Sequence, residues 1–532
     1  MTSDSSTRTA ADSGTPSDDA AVSNVVLVTV DSLRADAVSP YDPERRSPVI
    51  DGLADGGTVF DRAFATGNWT PFSFPSILAS EPVFTRSGDI GVDESVTLAE
   101  VLSDAGIATG GFNAANGFLT DHWGYPDGFD EFEPFVTSVG SSVYSRYLAA
   151  HPTVEAWIQL ATSPARRLGS KFRGDSDDRP FLDASRMFDV EDAATGFVDD
   201  TDEPFFLWVH YMDTHTPYVP APRYIREVSD GIVGTHQMLH AHARTSLGLE
   251  VGERTLSELR TLYQATVRQV DASVGRLLDA LDAAGVRDDT AVLLAGDHGE
   301  EFQEHGHLAH YPKLYDELIH VPFVADVPGL DGGHVDGHVG LDAIPPTVAD
   351  LLGVDPVPEW HGESLLPALR GEGRRSGGGE ETLSAAGEET PSDTVGDAPS
   401  ESGGDGDRDA ADPVVSVTVR GEDVTQQPIP RSLSDGDLFV SARDDDWTYI
   451  ENVDAGDREL YHRPTDPTQQ ENLAVDPDAE GQAVIDRLAP VVDSHAKLLR
   501  ERGAAAEAAA AERGDDEVDE DLEARLEALG YK

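Results

Sequence analysis

The chain has 532 residues, 39% of them hydrophobic, enough for one large α/β domain with a smaller one appended, and this excludes global disorder. Lys and Arg number 38 against 100 Asp and Glu, a formal net charge of -62, which has the wrong sign for a nucleic-acid partner. There is no cysteine, so disulfides, thiolate metal sites and a Cys nucleophile are excluded.

The acid is spread along the whole chain, and the lysines are Lys171, Lys313, Lys497 and Lys532 alone. Such a surface stays hydrated and soluble in molar salt, where screening over about 3 Å removes most self-repulsion. A halophilic source is implied. Residues 1–23 read as a polar, disordered lead without the basic flank and apolar run of a signal peptide. No stretch reaches the roughly 18 apolar residues of a membrane span. A soluble cytoplasmic protein is expected, and oligomeric state is not legible.

Ordered sequence begins at Asn24 with Val25-Val26-Leu27-Val28-Thr29-Val30, a run of the kind buried on both faces of a parallel sheet, and it stops at Asp31. A second run, Phe205 to Val209, leads into His210, Asp213 and His215. Thr255 to Ala284 has helical periodicity, with Thr255 and Glu258 as a capping box and Gly285 as its C-cap. A third run, Ala291 to Ala295, stops at Gly296-Asp297-His298-Gly299. Three buried strands thus end in carboxylates or imidazoles, and sites in open α/β sheets lie outside the carboxyl ends of the strands. Asp31, Asp297 and His298 are therefore candidate ligands of one divalent cation, with Ca²⁺, Mg²⁺ and Mn²⁺ all open.

The nucleophile is sought in Asn68 to Ser80. Pro75 suits a first helical turn, which places Ser73 just before a helix whose free N–H groups favour an anion. Ser73 is then the candidate nucleophile and a further metal ligand, with simple helix capping as the plainer role. Thr70 is the rival. His298, His305, His307 and His310, with Lys313, cluster after the third strand, and His210 and His215 follow the second. They are candidates to bind ester oxygens and to protonate a leaving group.

Residues 371–412 read as an acidic, Gly/Ser-rich disordered insert. Beyond it, Val414 to Val419, Leu438 to Ala442 and Trp447 to Ile450 read as a small antiparallel sheet. A helix from about Asp478 to Arg502 would cover it, completing a subdomain over 413–502. An acidic helical tail over 503–532 carries Leu522, Leu526 and Leu529 on one face. The catalytic α/β domain spans 24–370.

In this order the landmarks resemble the sulfatase family of the alkaline phosphatase superfamily, in a haloarchaeal form. Asn24 to Arg34 is similar to its opening strand and metal aspartate, with Ser32 where a second aspartate is usual. Pro204 to Tyr218 resembles its middle motif, which implies that His215 contacts the substrate's sulfate. Asp297-His298-Gly299-Glu300 resembles its second metal motif, Asp342 to Thr347 and Gly362 to Pro367 its next landmarks. Glu459-Leu460-Tyr461, Asp466-Pro467 and Glu471 to Ala474 resemble its C-terminal signature. The resemblance covers about 24–475 and implies an alkaline-phosphatase-like, mostly parallel sheet between helices with a smaller C-terminal α+β subdomain.

It further implies a sulfuric ester hydrolase of sulfate esters, sulfated carbohydrates among them, with Ca²⁺ bound. Asp31, Asp297, His298 and Ser73 would be ligands. Ser73, His215, His307 and His310 would be catalytic, with Thr70 the alternative nucleophile. His215, Lys313 and Asn116 would touch substrate, Asn116 standing where the family has a Lys-Trp-His motif. Ser73-Phe74-Pro75-Ser76 fits the family's modified motif, but Ile77 replaces its Arg, which argues against formylglycine at Ser73. Two other readings stand beside it. One is a phosphodiesterase or phosphoglycerol transferase using an unmodified Ser or Thr on a phosphate ester. The other is a non-catalytic binding protein on the same scaffold.

Overall fold

The computed structural model describes residues 22–85, 88–136, 185–201, 204–230, 251–372, 412–421 and 430–513. The lead before residue 22, most of the 371–412 insert, and the leucines at 522, 526 and 529 lie outside the described residues.

The central sheet uses β1 (Asn24–Val30), β2 (Thr58–Phe64), β3 (Ala108–Asn113), β4 (Glu131–Glu133), β5 (Phe205–Tyr211) and β6 (Thr290–Gly296). After a short hairpin of β7 (Glu301–Phe302) and β8 (Leu308–Ala309), the sheet is completed by β9 (His320–Val321), β10 (Phe323–Asp326) and β11 (Gly333–Gly340). Its order is β11-β2-β10-β6-β1-β5-β3-β4, with β9 on β2. β1 runs parallel to both neighbours, Val30 pairing Tyr211 on one side and Gly296 on the other, and β10 is antiparallel to β6. The three apolar runs thus lie side by side at the centre, and Asp31 and Asp297 leave the sheet at the same edge.

The runs do not alternate with polar residues because both faces are covered. Val25 and Leu27 of β1 join one apolar cluster, Val26, Val28 and Val30 another on the opposite face. Each such side chain, removed from water, contributes about 1.5–3 kcal/mol. The covering helices are α1 (Pro48–Gly56), α2 (Thr70–Ala79), α3 (Leu98–Asp104), α4 (Met187–Asp200), α5 (Pro222–Val228), α6 (Glu253–Ala284), α7 (Asp316–Ile319), α8 (Ile344–Leu351) and α9 (Leu366–Leu369).

Two local expectations are corrected. α6 starts at Glu253 with Gly252 as N-cap, so Thr255 and Glu258 lie inside it and form no capping box, whereas Gly285 does close it at φ 74°. α2 starts at Thr70, five residues before the expected Pro75, because Pro71 already occupies its first turn; Pro75 lies inside the helix.

The C-terminal subdomain is a four-stranded antiparallel sheet of β12 (Val414–Arg420), β13 (Asp437–Arg443), β14 (Trp447–Asn452) and β15 (Asp457–His462), the last not expected, with helix α10 (Ala479–Arg513) upon it. It is fastened to the large sheet where β2 ends. Val417 N–H donates to Thr66 O at 2.9 Å, and Ser416 Oγ donates to Ala65 O at 2.6 Å.

Candidate metal centre and active site

Asp31, the residue after β1, and Asp297, the residue after β6, are both fully buried. Backbone and hydroxyl donors hold their outer oxygens: Ser32 N–H donates to Asp297 Oδ1 at 3.0 Å, and Ser32 Oγ donates to Asp31 Oδ1 at 3.0 Å. Ser32 sits at φ 56°, a left-handed conformation stabilised where Tyr263 O–H donates to its carbonyl at 2.8 Å. Two imidazoles face the carboxylates. His298 Nε2 is 3.7 Å from both Asp31 Oδ1 and Asp297 Oδ2, and its Nδ1 donates to Gly299 O at 2.9 Å, which leaves Nε2 as a lone-pair donor. His210 Nε2 lies 3.7 Å from Asp31 Oδ2, its other nitrogen 2.9 Å from Thr29 Oγ1.

Gly299 makes the approach possible, since a Cβ there would stand 2.0 Å from Glu317 O. The backbone of 299–300 instead bonds α7 directly, Gly299 N–H donating to Leu318 O at 2.8 Å.

Asp31, His210 and Asp297 each offer an atom within 4.8 Å of the others. Asp297 Oδ2 and His210 Nε2 are buried without a hydrogen-bond partner, the condition a cation would relieve. Burial opposes charge on both carboxylates. The imidazoles of His215, His210 and His298 nevertheless hold Asp31 well below the usual carboxylate range. Burial and the charge of Asp31 push Asp297 well above it. Burial also lowers His298, keeping its imidazole neutral and able to ligate. Two carboxylates with two imidazoles therefore fit a divalent cation.

The structure separates the two nucleophile candidates. Thr70, at the first position of α2, donates from Oγ1 to Asp31 Oδ2 at 3.1 Å. Asn116 Nδ2 lies 3.3 Å from Asp31 Oδ2 and 3.5 Å from Thr70 Oγ1. Ser73 is fully buried one turn further on, and its Oγ donates to Gly67 O at 2.9 Å. It closes the turn into α2 in which Gly67 has no room for a Cβ, Phe72 Cβ being 2.4 Å from that point. The sequence placed Ser73 before the helix only because it started the helix at Pro75.

On the open side, the His310 ring lies 5.2 Å from that of His298 and 4.9 Å from that of His215. His215 donates from Nδ1 to Thr216 O at 2.6 Å, leaving Nε2 free to accept. His310 Nδ1 lies 3.5 Å from Glu300 Oε2, a fully buried carboxylate that also accepts from Tyr218 O–H. His307 and Lys313 form a separate group. His307 stacks on Tyr311 at 3.6 Å, and Lys313 Nζ donates to His305 O at 2.5 Å and to Glu301 Oε2 at 3.4 Å. Burial lowers the pKa of both.

His210 was read from the sequence as a group for the ester oxygens and not as a metal ligand, and Glu300 was not assigned a role. The signal for His210 was present: it extends an unbroken buried run by one residue and pairs with Thr29, two positions before Asp31.

The sulfatase family model matches residues 23–354. The chain is 28% identical to choline-sulfatase of Rhizobium meliloti over 190 residues, 32% of this chain and 37% of that protein. It is 24% identical to the Delta 4,5-hexuronate-2-O-sulfatase of Bacteroides thetaiotaomicron over 380 residues, 66% of this chain and 72% of that one. Among solved structures, the phosphonate monoester hydrolase of Agrobacterium radiobacter superposes with a TM-score of 0.59 at 20% identity, covering 91% of this chain and 96% of that one. Strand ends carrying two aspartates and two histidines, a hydroxyl held against them, and this match over most of the large domain lead to one conclusion: the chain belongs to the sulfatase family.

Proposed function

We propose that the protein is a metal-dependent hydrolase of sulfate esters, sulfated carbohydrates being its substrate class, with Thr70 as its nucleophile. The observation that carries this is the 3.1 Å contact of Thr70 Oγ1 with Asp31 inside a buried set of two carboxylates and two imidazoles. The family, and relatives named for a sulfated hexuronate and for choline sulfate, support the substrate class. The catalytic unit is read as 24–370 and the C-terminal subdomain as 413–502. The acidic composition supports a halophilic, archaeal and cytoplasmic setting, and no helix among the described residues is long and apolar enough to cross a membrane.

A divalent cation held by Asp31, His210, Asp297 and His298 would offset charge on the ester's non-bridging oxygens and make the Thr70 hydroxyl more acidic. Calcium follows from the family resemblance, whereas two imidazole nitrogens draw the donor set toward Mn²⁺, so both ions are titrated side by side.

Asn116 and Asp31 hold Thr70 Oγ1 in one orientation. Thr70 Oγ1 releases its proton to solvent as it attacks sulfur, and the bond to the leaving alcohol breaks. His310, oriented by Glu300, gives that alcohol its proton. His215 Nε2, when protonated, donates to a non-bridging oxygen. Water then attacks the sulfur of the sulfo-threonine, releasing sulfate and restoring the hydroxyl. In this reading His307 and Lys313 contact the alcohol portion rather than the reacting group, since they bond Glu301 and the 305 carbonyl and not the carboxylate pair.

The test is cleavage of paired aryl sulfate and aryl phosphate substrates in molar KCl with metal added, wild type beside Thr70→Ala. Sulfate cleavage lost in the variant supports the reading, and sulfate cleavage retained overturns Thr70. A second reading, phosphodiester hydrolysis or phosphoglycerol transfer, draws on Thr70 being an unmodified hydroxyl, and cleavage of phosphate alone would select it.

A further inference from the structure

The C-terminal signature has no part in the chemistry above. In the structure it forms β15 and the turn beyond. Asn472 fixes that turn, its Oδ1 accepting from Leu460 N–H at 3.1 Å and its Nδ2 donating to Arg458 O at 3.0 Å. Asp466 Oδ2 accepts from Glu471 N–H at 2.8 Å. The turn drives Gln469 into the large domain, where it is 1% exposed and held at φ 52°.

There Gln469 makes a two-point clasp. Its Oε1 accepts from Asp316 N–H at 2.8 Å, and its Nε2 donates to Asp316 Oδ1 at 3.0 Å. Asp316 opens α7, whose first N–H has no partner within the helix and receives one from the other sheet. Gln469 O lies 3.0 Å from His305 Nε2. His305 in turn stacks on Tyr315 at 3.6 Å and bonds Glu317 at 2.5 Å. Tyr315 O–H donates to Glu459 Oε2 at 2.9 Å, and the fully buried Arg443 donates to Leu314 O.

All of these contacts land on 305–317, the segment that carries His310. Residues 310–315 have no helix or strand of their own, so bonds from outside set their position. The other side is tied to the nucleophile: Asn68 Nδ2 donates to Tyr311 O at 3.1 Å, and Trp69 Nε1 donates to His310 O.

We propose that the C-terminal subdomain is a positioning clamp, in which Gln469, acting through Asp316 and His305, sets the His310 imidazole against the metal centre. The consequence for turnover rests on His310 as the leaving-group acid; the clamp itself does not. An acid displaced by even about 1 Å loses up to about 100-fold in rate, and most where the leaving group needs its proton.

The test compares full-length, metal-loaded wild type with Gln469→Ala in molar KCl by two readouts. In hydrogen–deuterium exchange, 305–316 is expected to exchange about tenfold faster, while 24–31 and 205–211 stay protected. In turnover, kcat/KM on phenyl sulfate is expected to fall about 10- to 100-fold, and on nitrophenyl sulfate, whose leaving group needs little acid, about threefold or less. Unchanged exchange at 305–316 overturns the clamp. Equal losses on both substrates overturn its action through His310 and leave a merely structural contact. Should Gln469→Ala not fold, Tyr315→Phe removes the hydroxyl that bonds Glu459 and Tyr461 and is expected to show the same pattern at smaller amplitude. A wild type that cleaves no ester sinks the hydrolase reading, and the exchange measurement still decides the clamp.

Discussion

The two halves of the site are built differently. The carboxylate half stands on the ends of β1 and β6 with His210 inside β5, and Asp31, Asp297 and His210 are all fully buried. The opposing half, His215, His310, His307 and Lys313, stands on loops, partly exposed and held by one or two side-chain bonds each to carbonyls and carboxylates. A charge cluster must be rigid, because displacing a buried carboxylate exposes its full desolvation cost. Groups that meet a variable alcohol need less of that rigidity, and loops on a fixed scaffold supply it. On the proposed reading, ion binding falls to the strand ends, and specificity to His215 and the segment between β6 and α7.

Changes in the first half should be the most damaging. Asp297→Ala is expected to abolish divalent-cation binding in calorimetry and to lower kcat/KM about 10⁴-fold or more. Chelation of the wild type should lower Tm, because an ion bound only to the native state stabilises it. A variant that still binds metal with wild-type affinity would remove Asp297 from the ligand set.

Thr70→Ala comes next, with an expected loss of about 10³-fold or more, against Ser73→Ala within about tenfold of wild type. Ser73→Ala should instead cost about 1 kcal/mol of stability through the lost bond to Gly67 O. The reverse ranking of the two variants would restore Ser73 as nucleophile.

On the loop side, His310→Ala is expected to cost about 100-fold on poor leaving groups and about threefold or less on nitrophenyl sulfate, whose leaving group needs little acid. Equal losses on the two substrates would assign the proton to another group.

The smallest effect concerns stability and pH. Burial disfavours charge on His305, but Glu317 and the Gln469 carbonyl outweigh it and raise its pKa above 6.5 despite Lys313 nearby. A group raised in the folded state contributes stability that is complete below its unfolded value, near 6.5, and is lost as pH rises through the higher folded value. Urea midpoints should fall over that interval in wild type and not in His305→Gln. Parallel curves would show that His305 does not titrate there.

Much of this architecture was legible in the chain. The three apolar runs were read as central strands because both faces of β1, β5 and β6 are buried, which forces unbroken hydrophobic sequence. Asp31 and Asp297 were legible for the same reason, as the first charges after such runs. The nucleophile was harder: two prolines, Pro71 and Pro75, both suit a first turn, and only tertiary placement shows that the first one starts α2. β15 was missed because Asp457 to His462 opens on three charged residues and has Leu460 and Tyr461 as its apolar positions, which gives neither alternation nor a long apolar run. Gln469 gave no sequence signal, since a buried glutamine is identified by its partner and not by its neighbours.

Thr70 has a consequence for how the protein is made. Threonine carries a methyl on Cβ, and oxidising that carbon yields a ketone rather than the aldehyde on which the family's formylglycine members depend. On the proposed reading, in which Thr70 is the nucleophile against Asp31, that residue needs no covalent maturation after folding. Any host that keeps it soluble in high salt can then produce it in active form without a dedicated maturation partner, and its distribution among organisms need not follow that of such an enzyme.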